Sequence, residues 1–196
     1  MVTASPRAEQ RERTRAAILA AAWEIAHESG IAELSLREIA RRVGMQAPSL
    51  YTHFDSKGAI LDAMFVQAYE TLDRRLLDVS IDGEAEAALV RAMREWVAFC
   101  LEDVARYQLL YTRVLPGWEP STEAYGAAVA SYERMRTQLA EIGITEQEDL
   151  DLWTAVMSGL VAQQVANEPT TRRWADLLPR AVRMFLADLD MTGAGR

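Results

Sequence analysis

The sequence predicts an all-α protein of about nine helices. Three observations carry that prediction. Apolar residues recur at spacings of three and four over almost every long stretch, the repeat of one helix face. No stretch alternates apolar and polar residues as a strand does, and no segment repeats another. Glycine and proline break the pattern at Gly30, Gly44, residues 80–83, residues 116–120 and Gly143, leaving pieces of helical length between them. Half of the 196 residues are hydrophobic, enough for a real core, yet no run approaches a membrane span.

Residues 1–8 show no periodicity and are expected to be disordered. A first helix then runs to about Ser29, with Ile18, Leu19, Ala22, Trp23 and Ala26 as its apolar stripe. Arg7, Arg11, Arg13 and Arg15 precede and open it. Either they reach flanking phosphate or the minor groove, or they are a solvated helix start partly neutralised by Glu9 and Glu12. His27 fits the negative end of that helix as a cation.

Residues 36–43 form a short second helix, with Leu36, Ile39, Ala40 and Val43 on one face. Ser35 and Glu38 have the spacing of a capping box, and Gly44 suits a left-handed stop. A third helix spans residues 47–54. Pro48 fits its first turn, and Leu50 and Phe54 stack inward at i, i+4. With Leu50 inside, Pro48, Ser49 and Thr52 point outward, flanked by Tyr51 and His53. That face holds small and hydrogen-bonding groups and no carboxylate, so it can enter a DNA groove without repelling phosphate. Arg37, Arg41, Arg42 and Lys57 bracket it with positive charge. The three helices read as a helix-turn-helix head with residues 47–54 as the recognition helix.

The run LREIARRVGMQAPSLYTHFDSKGAIL resembles the DNA-binding signature of TetR-family transcriptional regulators, over roughly Thr14 to Leu61. Ile39-Ala40, Gly44, and Leu50-Tyr51-x-His53-Phe54-x-Ser56-Lys57 followed by Leu61 carry the resemblance. It implies that Arg37, Gln46, Ala47, Pro48, Ser49, Tyr51, His53 and Lys57 lie at or near DNA. In the family, the tyrosine and lysine positions mostly hold phosphate and the start of the recognition helix reads bases. Met45 and Gln46 stand where the family often has valine and a small capping residue. Gly58 stands where a better helix former is usual. These readings divide the chain into a DNA-binding domain (1–56), an effector-binding and dimerisation domain (57–190) and a tail (191–196).

A long helix from Lys57 to about residue 79 can join head to body, with Leu61, Met64, Phe65, Ala68, Leu72 and Leu76 along it. Five further helical patterns follow, near 84–105, 107–114, 121–142, 146–167 and 170–188. Pro179 falls inside the last and is expected to kink it. Trp153, Leu160, Val161, Leu177, Ala181 and Phe185 make the last two helices apolar over more than one stripe. Paired across a two-fold axis they would form a four-helix dimer interface, which the resemblance also implies; the alternative is plain core. Two heads about 34–36 Å apart would then read two half-sites.

Trp96, Phe99, Tyr107, Tyr111, Tyr132, Trp153 and Met157 are the candidate lining of a cavity for a small apolar or aromatic effector. Ordinary core packing is the alternative for each. The net charge of −8 divides unevenly: residues 1–58 balance at +1 and residues 59–196 at −9. An acidic body would turn the near-neutral head toward DNA, within the reach that salt allows, or simply serve solubility.

One cysteine, Cys100, excludes an internal disulfide and cysteine-based zinc sites. The charged start lacks a signal-peptide apolar core, so a cytoplasmic protein is expected. No hydrolase, metalloprotease, phosphate-loop or EF-hand motif is present, and neither a cofactor nor a metal is expected. The reading is a non-enzymatic, sequence-specific regulator. Its expected partners are double-stranded operator DNA, a small-molecule effector and a second copy of itself, with no membrane. It is expected to act as a repressor of a pseudo-palindromic operator that ligand releases. An activator of the same fold is the near alternative. A helical ligand-binding protein or enzyme without DNA function is the distant one.

Overall fold

The computed structural model describes residues 5–79, 83–168 and 170–193. Among them are nine α-helices, two single 3-10 turns and no strand. The helices are α1 (Pro6–Ser29), α2 (Leu36–Arg42), α3 (Ala47–Leu50), α4 (Lys57–Leu77), α5 (Ala85–Glu102), α6 (Val104–Tyr111), α7 (Thr122–Glu141), α8 (Gln147–Asn167) and α9 (Leu178–Gly193). No helix among the described residues is long and apolar enough to cross a membrane.

The backbone groups into two compact units, residues 1–69 with 105–128, and residues 70–104 with 129–196. This partition differs from the expected boundary after residue 56, because the first half of α4, α6 and the start of α7 fall with the head.

In the first unit α1 packs on α2 and on the 3-10 turn Ile31–Glu33, and α2 packs on α3. Ile18, Ala22, Ile25, Ile31, Leu34, Ile39, Leu50 and Phe54 are its buried apolar residues around the short helices. The start of α1 corrects the expectation of a disordered 1–8. Ser5 caps the helix by accepting from the Ala8 amide at 3.3 Å, and Pro6 follows at the first helical position, where its missing N–H is harmless. Ser56 caps α4 in the same way, accepting from the Ala59 amide at 3.0 Å. Gly58 in the first turn is thereby compensated. Asp62 on α4 accepts from the Trp118 indole and from the Ser121 amide, both at 3.3 Å. Trp118, Phe65, Tyr69, Tyr111 and Tyr107 then follow one another ring to ring at 6.2, 5.0, 6.4 and 5.8 Å.

In the second unit α5 packs on α8 and α9, and α8 packs on α9. Trp153 and Phe185 meet there at 4.9 Å between ring centroids, and Cys100 is buried as a small apolar side chain. Asp73 at the end of α4 accepts from Ser131 at 2.9 Å and pairs with Arg134.

The expected last helix of 170–188 is not one kinked helix. A 3-10 turn, Ala175–Leu177, comes first, and α9 starts at Leu178. Pro179 therefore sits in the first turn of α9, where proline breaks no hydrogen bond and forces no kink. The approach to α9 is organised by Gln164, the buried polar side chain of this region, 1% exposed. Its carbonyl accepts from the amides of Trp174 at 2.9 Å and Ala175 at 3.1 Å. Its amide donates to the carbonyls of Thr171, at 2.8 Å, and Glu168. Helix α9 also runs to Gly193, past the expected start of the tail at 191, and residues 194–196 lie outside the described part of the chain, as do 80–82 of the expected helix break.

Replacing Gln164 with Leu should leave the Trp174 and Ala175 amides and the Thr171 carbonyl unpaired in a largely dry site. The expected loss is about 1–3 kcal/mol of stability, read from urea or thermal unfolding of the variant against the parent. A loss below about 0.5 kcal/mol, the scale of an inconsequential surface change, would refute the role.

Candidate nucleic-acid interface

The turn between α2 and α3 is set by backbone bonds alone. Gly44 adopts φ +68°, its amide donates to the Arg41 carbonyl at 3.3 Å, and the Met45 amide donates to the Ala40 carbonyl at 2.8 Å. That pair of bonds is a Schellman stop, and it needs a left-handed residue at this place. At the other end of α2, Ser35 accepts from the Glu38 amide at 3.3 Å. The expected reciprocal capping box is only half formed, because the Glu38 carboxylate turns away to two arginines.

Those arginines correct the expected charge bracket. Glu38 takes Arg41 through two bonds of 2.6 and 2.9 Å and Arg42 through one of 3.2 Å. Arg42 also reaches Glu28 at 3.0 Å and Glu24 at 3.5 Å on α1. Its side chain is 20% exposed. Arg42 thus ties α2 to α1, and its charge is matched within the protein. The Arg41 and Arg42 guanidinium groups hold the Glu38 carboxyl down at about 2, from an ordinary 4.5, and Arg42 lowers Glu28 as well.

The recognition helix is shorter than expected. Regular α-helix covers Ala47–Leu50 only. Beyond it the amides of Tyr51, Thr52 and His53 donate to the carbonyls three residues back, at 3.3, 3.3 and 2.8 Å, so the chain tightens toward 3-10 geometry through 51–53. Leu50 (1% exposed) and Phe54 (4% exposed) anchor both ends of this tightened turn in the core, as their spacing implies.

All nine expected DNA-contact residues fall in this one unit, and none is buried. Arg37, Gln46, Pro48, Tyr51 and Thr52 are exposed or half-buried, as are Ala47, Ser49, His53 and Lys57. Tyr51 stands out at 53% exposure, unusual for so large a ring. The Thr52 hydroxyl donates to the Ser49 carbonyl at 2.8 Å, so it presents its methyl group and an accepting lone pair outward. The His53 Nδ1 is shielded from solvent and has no protein partner among the described residues.

Two residues outside the expected set belong to this site. Arg11 donates to the Thr52 carbonyl at 3.4 Å, and Arg15 donates to the His53 carbonyl. The Arg15 guanidinium also lies 4.0 Å from the centre of the Phe54 ring. Their spacing of four, which puts both on one face of α1, was the available signal; where that face points was not.

The seven candidate effector residues divide between the units. Tyr107 and Tyr111 lie in the first and touch ring to ring, Tyr107 buried and Tyr111 37% exposed. Trp96, Phe99, Trp153 and Met157 are buried in the second, and Tyr132 is half-buried there, its hydroxyl accepting from Gln147 at 3.0 Å. An apolar depression in the second unit is lined by Ala88, Leu89, Met93, Met135, Leu139 and Trp153 among others. Of the seven candidates only Trp153 lines it.

The expected dimer residues separate as well. Trp153, Val161 and Phe185 are 1, 1 and 4% exposed, packed into the core of their own chain. Leu160 and Ala181 are half-buried and Leu177 is 39% exposed. With Leu152 (43%), half-buried Val156 and Met184 (63%) they form one outward stripe on α8, at 152, 156 and 160, and one on α9, at 177, 181 and 184. Among the described residues no group of histidine, cysteine and carboxylates is placed to hold a metal ion.

Residues 18–64 match the model of the family described as "Bacterial regulatory proteins, tetR family". HTH-type transcriptional regulator Rv1816 of Mycobacterium tuberculosis is 33% identical over 129 residues, which are 62% of this chain and 54% of that protein. Tetracycline repressor protein class D of Escherichia coli is 40% identical over 53 residues, 27% of this chain and 24% of that one. The chain thus spans about half the length, or less, of these curated relatives. In fold it is similar to a tetR-family transcriptional regulator from Streptomyces coelicolor, with a TM-score of 0.75 and 21% identity over 96% of this chain and 84% of that one. It is also similar to RolR in complex with resorcinol, with a TM-score of 0.60 and 20% identity over 91% and 95%.

The depressed Glu38 makes the head's acid response predictable. A carboxylate lowered in the folded state stabilises it above its unfolded value and loses that contribution as pH falls. Comparing thermal midpoints of the parent and Glu38→Gln, the parent's advantage should be full above about pH 5 and vanish between there and about pH 2. A constant difference across that range would show that the carboxylate's charge is not what holds α2.

Proposed function

We propose that this chain, which belongs to the TetR family of bacterial regulatory proteins, is a transcriptional repressor that acts as a homodimer on a pseudo-palindromic operator and is released by a small apolar or aromatic ligand. The observation that carries the reading is the tightened turn after α3. Its outward groups are Gln46, Ala47, Pro48, Ser49, Tyr51 and Thr52, with no carboxylate from residue 46 to 54 and Lys57 just beyond. Hydroxyls, a methyl and an amide suit base edges, and Tyr51 and Lys57 suit phosphate.

A single head of this size touches few base pairs, so two must act together. The outward stripes on α8 and α9 support pairing of two chains there, through Leu160, Leu177 and Ala181, with Leu152 and Met184 added to the expected set. Repression is supported by the class D tetracycline repressor, with which this chain is 40% identical over 53 residues. An aromatic ligand is supported by the aromatic and methionine side chains of both units; RolR, of the same fold, holds resorcinol. Helix α4 contributes residues 57–69 to one unit and 70–77 to the other, so it is the element through which ligand would bias the heads. For release to follow, ligand must bind the DNA-free arrangement more tightly.

Duplex selection from a random pool, followed by affinity measured across salt, tests the DNA reading. Tyr51→Ala and Lys57→Ala should weaken binding to all duplexes and flatten the log–log salt slope by about 0.9 for each phosphate contact removed. Ser49 and Thr52 variants should shift base preference instead. Unchanged affinity in the first two would remove the assignment. A reporter behind the selected operator reads the sign of regulation, and activation there would replace repression.

Leu160→Arg should give a folded monomer in sedimentation, while Phe185→Arg should unfold because its ring is in the chain's own core. A dimeric Leu160→Arg protein would eliminate this interface.

A further inference from the structure

We propose that Arg15, with Arg11 one turn before it, is a positioning residue for DNA reading. On this view it holds the carbonyl end of the recognition segment and does not bind phosphate. The inference rests on the DNA-binding function proposed above and says how the reading surface is kept in shape.

Four residues of α-helix are far too few to persist by themselves. The segment's own bonds satisfy the carbonyls of Pro48, Ser49 and Leu50, each accepting from an amide three or four residues on. The next carbonyls to need partners are those at the C-terminal end of the turn, as at any helix end. Two of them, Thr52 and His53, receive the guanidinium groups of Arg11 and Arg15. Arg15 is also stacked on Phe54, itself 4% exposed, so its position is tied to the core. A half-buried guanidinium, flat against a ring and bonded to a backbone carbonyl, is poorly placed to reach outward. What it does fix is the path of residues 51–53, which carry Tyr51 and Thr52 on their outer side. A positive charge at this carbonyl end also offsets the partial negative charge that would otherwise face phosphate.

The test uses the full-length protein, on the operator selected by the parent and on an unrelated duplex. In Arg15→Met the expected result is a loss of about tenfold or more on the operator, the scale of a lost charge-assisted hydrogen bond. Binding to the unrelated duplex and the salt slope should stay close to the parent's. Arg15→Lys keeps the charge but not the planar stacked fork, so it should recover little of the loss. Arg11→Ala, at an exposed position, should give a smaller loss of the same kind with an unchanged thermal midpoint.

A salt slope that falls along with affinity, or full operator affinity in the Arg15→Lys variant, would make Arg15 a phosphate contact and overturn the proposal. Unchanged operator affinity in Arg15→Met would overturn it too. Loss of binding to both duplexes with a collapsed thermal midpoint would assign Arg15 to stability alone, and also overturns it. If the parent itself selects no duplex, the DNA-binding function fails, an outcome visible before any variant is made.

Discussion

The whole head answers to one constraint: its reading surface lies on a segment too short to hold its own shape. Ala47–Leu50 makes a single α-helical turn, and the next three residues continue it with tighter bonds. Order must therefore come from outside. Leu50 and Phe54 anchor it in the core, the Schellman stop at Gly44 sets the angle of entry, and α1 reaches over to the far end. The same constraint explains why α1 is 24 residues long while α2 has seven. The long helix is the frame to which the short ones are tied, through Arg42 to Glu24 and Glu28 at one level and through Arg15 at another.

The second unit meets a different demand. Helix α8 buries Leu150, Trp153, Met157, Val161 and Gln164 on one side and presents Leu152, Val156 and Leu160 on another. A helix apolar on two faces has more surface to cover than one neighbour supplies. Helix α9 repeats the arrangement, with Leu178, Val182 and Phe185 inward and Leu177, Ala181 and Met184 outward. Pairing with a second copy would cover both outward stripes at once, so the proposed dimer answers a packing demand as well as the need for two heads.

Element type and order were legible because periodicity of three and four is a property of the sequence itself. Gly30, Gly44 and Gly143 stop their helices as expected, each at positive φ. Inward residues Ile39, Leu50, Phe54, Leu61 and Met64 were legible for the same reason. Partners across the fold were not. Arg41 and Arg42 looked like bracket charges, yet the carboxylates that take them up include two from α1, at a separation no local pattern encodes. Trp153, Val161 and Phe185 looked like interface residues; periodicity shows that α8 and α9 have two apolar sides but not which side turns inward. Gln164 gave no signal at all, since a glutamine in a helix reads as surface until the amides of 174 and 175 are placed against it. Pro179 misled for a related reason: the helix begins later than its apolar pattern does.

The internal use of arginine bears on how this protein would recognise DNA. Eight basic residues precede residue 59, which suggests generous phosphate binding. Arg41 and Arg42 are taken up by carboxylates, and Arg11 and Arg15 by carbonyls. Arg13 is shared with Glu9 at 3.7 Å, a well-solvated pair of little weight. Arg37 and Lys57 are left near the reading face, with Tyr51 and backbone amides to help. A head with so few outward cations draws little affinity from the salt-dependent phosphate term that supports non-specific binding. Discrimination must then come from fit at the base edges, multiplied across two half-sites. Such a protein depends on the shape of residues 46–54 more than on its charge. A small shift in the spacing of two heads, of the kind a ligand can impose through α4, is then enough to forfeit the operator.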